Sequence, residues 1–181
     1  MIMTNILPQI ITPISEDACS KLNAGDMILL SGSIFCARDM AHKKFLTAIE
    51  AGENLPIDIS GKTIFYAAPT PAQNGEAIGV IGPTTSNRMD IYTPQLLDFG
   101  MRAMIGKGQR TESVRKAIQK HKAIYLGAIG GVAALTKKSV ISAEIVAYQD
   151  LGPEAVLRLI IKDMPLIVLI DSHGREFPAK R

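Results

Sequence analysis

The chain has 181 residues, 47% of them apolar and 20% charged, with a formal charge of +3 at neutral pH. That length suits one domain, or one domain with an appendage, able to bury its own core, and the composition excludes a low-complexity or extended disordered protein. A charge so small and scattered, without tryptophan and without a Lys/Arg run interleaved with aromatics, also argues against a nucleic-acid surface.

The opening MIMTNILPQIITPISED has no basic lead, carries prolines at 8 and 13 and lacks a small-residue cleavage site, so it does not read as an export signal. Residues 1–20 are expected to form an arm lying over a partner or over the domain, and residues 21–181 a single domain. Apolar runs then recur in the order MILLSG, TIFYAAP, AIGVIGP, AMIGKG, AIYLGAI, AEIVAY, LRLIIKD and PLIVLID. Short β-branched-rich runs without strict alternation predict strands covered on both faces. Helices are expected over 38–51, closed by Gly52; over 94–99, with Thr93 as cap and Gly100 as stop; over 112–121, capped by Thr111; and over 132–138. The third carries the one dense basic stretch, RKAIQKHK, whose charges face solvent while Val114, Ala117 and Ile118 turn inward. Together these elements predict a layered α/β or β/β/α domain. The longest apolar run, AIYLGAIGGVAAL, is too short to span a bilayer and is broken by glycines, which predicts a soluble cytoplasmic protein without a membrane segment. Cys19 and Cys36 show no CxxC pairing and read as small buried hydrophobes, insufficient for a disulfide framework or a metal site.

Polar chemistry collects in the loops behind the early strands. SGSIFCARDMAH places Arg38 at a helix start, with Asp39 beside it and His42 one turn later. GPTTSNRMD, directly behind AIGVIG, offers Thr84, Thr85, Ser86 and Arg88. MIGKG sets Lys107 between Gly106 and Gly108, and glycines there let backbone approach a ligand closely. If these groups converge at one sheet edge they form a pocket for a small polyanion, because guanidinium forks match carboxylates bidentately and an ammonium adds a point charge. A dicarboxylate and a phosphate fit equally well. Plainer readings compete: Arg38 and Asp39 as a surface pair worth under about 1 kcal/mol, His42 as a structural histidine, Thr84 and Thr85 as cap or turn residues. A phosphate loop is not among them, since in GMRAMIGKG five residues rather than four separate Gly100 from Gly106, and Gly108 stands where a Ser or Thr is required.

The stretches LLSGSIFCARDMAHKKF, FYAAPTP, IGPTTSNRMDIYTPQLL, GMRAMIGKGQR, AIGGVAAL, LGPEAV and DMPLIVLID, in this order, resemble the β-subunit, or C-terminal domain, of class I fumarate hydratases and L-tartrate dehydratases from about residue 20 to about residue 172. The resemblance implies a swivelling β/β/α domain, three-layered with a mixed sheet, and a reversible hydro-lyase that uses a 4Fe-4S cluster. In that family the cluster's cysteines belong to the other subunit or to the N-terminal domain, and two cysteines are too few for even a three-thiolate cluster. It follows that this chain is expected to bind no cofactor or metal alone and to work with a cognate α-subunit, in an α2β2 assembly, with the isolated chain a homo-oligomer. Carried over residue by residue, Arg38 matches the substrate-binding arginine of the family's ARD motif, Thr84 its proposed base toward the carbon-bound proton, and Thr85, Arg88 and Lys107 further substrate-binding groups. Asn87 and Ala68 stand where the family usually has glycine, and Cys36 replaces a small polar residue. The expected activity is hydration of fumarate to (S)-malate. Dehydration of L-tartrate to oxaloacetate is the alternative, and a non-catalytic anion-binding regulatory module is a third reading.

Overall fold

Strand β4 (Ala103–Gly106) shows how the apolar runs without alternation are used. Its Ala103 and Ile105 enter one buried cluster and Met104 another, because successive side chains leave a strand on opposite faces. β3 (Thr63–Phe65) and β5 (Ile124–Ala128) divide the same way: Phe65, Ile124 and Leu126 join the first cluster, Ile64 and Tyr125 the second. Both faces of these three parallel strands are covered, so apolar residues dominate both, Thr63 at the start of β3 being a buried polar exception.

The computed structural model describes residues 7–72, 76–128 and 133–178, and of residues 133–135 the backbone alone. Among the described residues the other strands are β1 (Gln9–Ile11), β2 (Met27–Cys36), β6 (Val140–Ala147) and β7 (Val156–Ile170). The seven form one mixed sheet in the order β1-β2-β3-β4-β5-β7-β6, and β2 pairs with β7 as well. Strands β2, β3, β4, β5 and β7 therefore make a closed circuit around the first cluster, to which Ile34 and Leu166 also contribute. Helices α2 (Asp39–Glu50), α3 (Thr93–Asp98) and α4 (Glu112–Lys120) cover the second cluster through Phe45, Leu96 and Ile118. The layers run β on β on α, the expected three-layered α/β fold with a mixed sheet. On α4 the inward residues are Val114, Ala117 and Ile118, as the amphipathic pattern requires.

Local structure departs from the sequence reading at several points. AIGVIG is not a strand: Ile78 and Ile81 are buried, yet backbone pairing is limited to Thr70 with Val80 and an isolated bridge from Ala67 to Pro83. Apolarity there reports burial under a loop, not membership of a ladder. LRLIIKD and PLIVLID are one strand, β7, bent at Asp163 (φ 50°), where the register against β2 shifts opposite Ser31 and Gly32. Thr93 is the first residue of α3, not its cap, and its hydroxyl donates to the Met89 carbonyl (2.8 Å). Of the sequence read as an arm, residues 9–11 are β1, paired in parallel with β2, and Glu16–Lys21 form helix α1, which buries Cys19. The helix expected over 132–138 corresponds to α5 (Ala133–Ser139), with Val132 outside the described residues.

Candidate functional site

Strands β2, β3, β4 and β5 are parallel, so their C-terminal ends share one edge of the sheet. The loops that leave those ends are therefore neighbours, and loops held by a rigid sheet are where binding groups usually sit. Arg38 leaves β2 there and occupies the N-cap position of α2 in extended backbone (φ −143°). Its carbonyl oxygen accepts the His42 backbone N–H (2.9 Å) and lies 2.9 Å from His42 Nδ1, which fixes Nδ1 as the protonated nitrogen. His42 itself is fully buried with its ring edge-on to Tyr66 (5.1 Å), and burial pushes its pKa down to about 4, so it packs as a neutral imidazole.

The first residue of α2, Asp39, joins the two predicted arginines. Its Oδ2 lies 3.0 Å from Arg38 Nε and its Oδ1 3.2 Å from Arg88 Nε. Glu154, at the end of the turn before β7, reaches Arg38 Nη2 with Oε1 (3.2 Å) and accepts the Met40 N–H with Oε2 (2.8 Å). Arg88 lies in a short 3-10 helix, Ser86–Met89, and its Nη2 donates to the Thr84 hydroxyl (2.7 Å). Thr85 and Lys107 meet through a parallel backbone bridge, and both are exposed. The five residues singled out by sequence thus fall into two adjoining groups: Arg38, Arg88 and Thr84 linked by side chains, and Thr85 and Lys107 linked by backbone. Asn87 has no positive φ, so its replacement of glycine introduces no backbone strain.

Beneath these loops lies a set of supports that sequence reasoning left unassigned. Ser86 is buried: its Oγ accepts the Lys107 N–H (3.1 Å), and the Tyr125 hydroxyl reaches both that oxygen (2.9 Å) and the Gly108 carbonyl (3.1 Å). A Cβ at Gly106 would fall on the Ser86 hydroxyl, so glycine is what allows the 84–88 loop to close onto β4. Behind it, Arg110 donates through Nε to Asp90 Oδ1 (2.6 Å) and through Nη2 to Thr93 (2.8 Å), sandwiched by Tyr66 and Tyr125 at 5.3 and 4.8 Å from the ring centroids. Asp90 Oδ2 takes the Thr111 N–H (2.6 Å), which ties the loop carrying Arg88 to the start of α4. Asp90, Arg110 and Glu154 carry no periodic signal. They stood in the sequence only inside the stretches TTSNRMD, GKGQR and LGPEAV.

The family model described as fumarase C-terminus matches residues 6–180. The chain belongs to the fumarase C-terminus family. Among similar proteins are the aerobic class I fumarate hydratase of Escherichia coli, 42% identical over 160 residues that make up 87% of this chain and 29% of that one, and fumarate hydratase 2 of Leishmania major, 36% identical over 89% of this chain and 29% of that one. A Methanocaldococcus jannaschii chain provisionally named L(+)-tartrate dehydratase subunit beta is 39% identical over 85% of this chain and 82% of its own length. The chain spans under a third of the fumarate hydratases it matches.

The thiols of this fumarase C-terminus chain do not suit a metal cluster. Cys36 is buried with its Sγ 3.1 Å from the Ala67 carbonyl, and burial pushes its pKa up to about 12; burial likewise raises Cys19 to about 11. Cluster ligands are thiolates. Among the described residues no group of three or more His, Cys, Asp and Glu side chains is placed to hold a metal ion, and no helix is long and apolar enough to cross a membrane.

Proposed function

We propose that this chain is the β-subunit of a two-subunit cytoplasmic hydro-lyase that reversibly hydrates fumarate to (S)-malate, with its cognate α-subunit supplying a 4Fe-4S cluster. The observation that carries the reading is the Arg38, Asp39, Arg88, Thr84 chain of contacts at the C-terminal edge of the parallel strands, in a fumarase C-terminus fold. Two guanidinium groups on one surface suit a ligand with two carboxylates, and Lys107 and the Thr85 hydroxyl beside them add a point charge and a hydrogen bond. Since the cysteines here do not fit a cluster, no step on this chain is routed through one. Its own residues bind, orient and handle a proton. A neutral threonine is a poor base, but a guanidinium 2.7 Å from Thr84 Oγ1 is the charge that stabilises an alkoxide there. In this reading Thr84 takes the proton from the carbon next to the hydroxyl-bearing one, while Thr85 and the cations hold the carboxylates.

L-tartrate dehydration to oxaloacetate is the second reading, favoured by the similarity to the Methanocaldococcus chain over most of its own length. Tartrate and malate share both carboxylates and differ by one hydroxyl. The test is anaerobic co-expression with the α-subunit, expected as an α2β2 assembly, followed by assays with fumarate, malate and both tartrates. Turnover of one diacid by the complex, with none by the chain alone, is the expected result. A complex inert toward all of them overturns the proposal.

A further inference from the structure

The geometry points to Asp39 as the residue that positions both carboxylate-binding arginines, an inference that rests on the reading of Arg38 and Arg88 as substrate groups. Its two oxygens are divided between them, one to each Nε, although the arginines stand on different loops 50 positions apart (88 − 38). Two guanidinium groups on one surface repel each other, and Arg88, with 48% of its side chain exposed, has open solvent into which to turn. A carboxylate between them cancels that repulsion and grips the Nε edge of each. The terminal nitrogens are thereby directed away from Asp39: Arg88 Nη2 to Thr84, Arg38 Nη2 to Glu154, and Nη1 of both with no hydrogen-bond partner among the described residues. Those two Nη1 atoms are donors available to a diacid. Asp39 is a firm anchor because it opens α2, where the helix dipole favours an anion. Its side chain is 29% exposed and Arg38's 26%, so the contacts add little to stability and their effect is on geometry. Glu154 has no comparable part, since of the two arginines it touches Arg38 alone, its other oxygen taking the Met40 N–H.

The experiment uses the full chain labelled with ¹⁵N-arginine, and the same variants in complex with the α-subunit. In Asp39→Asn the Nε–H signals of Arg38 and Arg88 both move, whereas in Glu154→Gln the Arg88 signal stays. In the complex Asp39→Asn raises KM for the diacid by about tenfold or more while kcat changes far less, the signature of lost binding common to ground and transition states. Melting temperature hardly changes. If Asp39→Asn fails to fold, Asp39→Glu keeps the charge with a longer reach and moves both arginine signals together. An Arg88 signal unmoved by either variant, or a wild-type KM in an active Asp39→Asn complex, overturns the assignment. Should the wild-type complex turn over neither malate nor tartrate, the hydro-lyase reading fails and the paired arginine signals alone decide the role of Asp39.

Discussion

Replacing Asp90 with alanine tests the support beneath the site. Asp90 is 5% exposed and its carboxylate takes two bonds of 2.6 Å, from Arg110 Nε and from the Thr111 N–H. Alanine leaves the fully buried Arg110 guanidinium without a counter-charge, and breaking a buried pair in this way costs about 3–5 kcal/mol. Thr93 and the two tyrosine rings still hold the cation, which places the loss toward the lower end, at about 3–4 kcal/mol. For a chain of this size that is a fall of roughly 6–16 °C in melting temperature. Adding Arg110→Met removes the stranded charge, so the double variant regains most of the lost stability. Urea unfolding at neutral pH, followed by circular dichroism, reads both variants through the midpoint at constant slope. A loss below about 1 kcal/mol in Asp90→Ala, or a double variant no more stable than the single one, refutes the reasoning.

Three further outcomes are expected. Gly106→Ala drives a methyl into the Ser86 hydroxyl and costs about 1–3 kcal/mol as overpacking; Ser86→Gly alone loses the bonds from Lys107 and Tyr125, but in thermal melts the double variant loses less than the two single losses combined, and strict additivity counts against the clash. His42 is held neutral by burial, with a folded pKa of about 4 against an ordinary value of 6.5. The unfolded chain therefore binds the extra proton first, so the stability from His42 is complete above pH 6.5 and drains away as pH falls toward 4, by roughly 3 kcal/mol in all. Urea midpoints at pH 7 and 4.5 should diverge more in the wild type than in His42→Gln, and equal divergence in the two proteins contradicts the assignment. In the reconstituted complex Thr84→Ala lowers kcat by roughly 10²-fold or more and suppresses exchange of the substrate's C3 proton with deuterated water, while Thr84→Ser retains turnover. Undiminished exchange in Thr84→Ala moves the base elsewhere.

Helices α2 and α4 were legible in the sequence to within a residue or two, because their ends are set by local chemistry: Gly52 adopts a left-handed φ of 70° just past α2, and Thr111 precedes α4. The layer assignment followed from runs with no polar face. AIGVIG failed because hydrophobicity reports burial, and Ile78 and Ile81 achieve burial without strand partners. The candidate site's outer groups were named from sequence because each lies on a loop beside glycine or at a helix start, and the fold brings Arg38, Thr84 and Arg88 together. Its supports could not, since Arg110 and Asp90 look like surface charges until the fold brings residues 20 positions apart (110 − 90) into one buried pair. Asp39 was noticed only as Arg38's neighbour, and its reach to Arg88 is a tertiary contact.

The closed circuit of strands has a consequence for the order in which the molecule is assembled. β7 pairs with β2 across more than a hundred intervening residues, Met27 against Ile167 and Cys36 against Leu157, and also with β5 and β6. Contacts of such sequence separation must meet their loop-closure entropy before they stabilise anything, which places the chain among slow folders. Arg38, Thr84, Arg88 and Lys107 all emerge during synthesis before β7 does, yet the first cluster beneath them stays open to water until that strand docks. A nascent chain halted before residue 156 thus presents the inner faces of β2 and β5 with no cover, and this is the stage at which a chaperone would have most to bind.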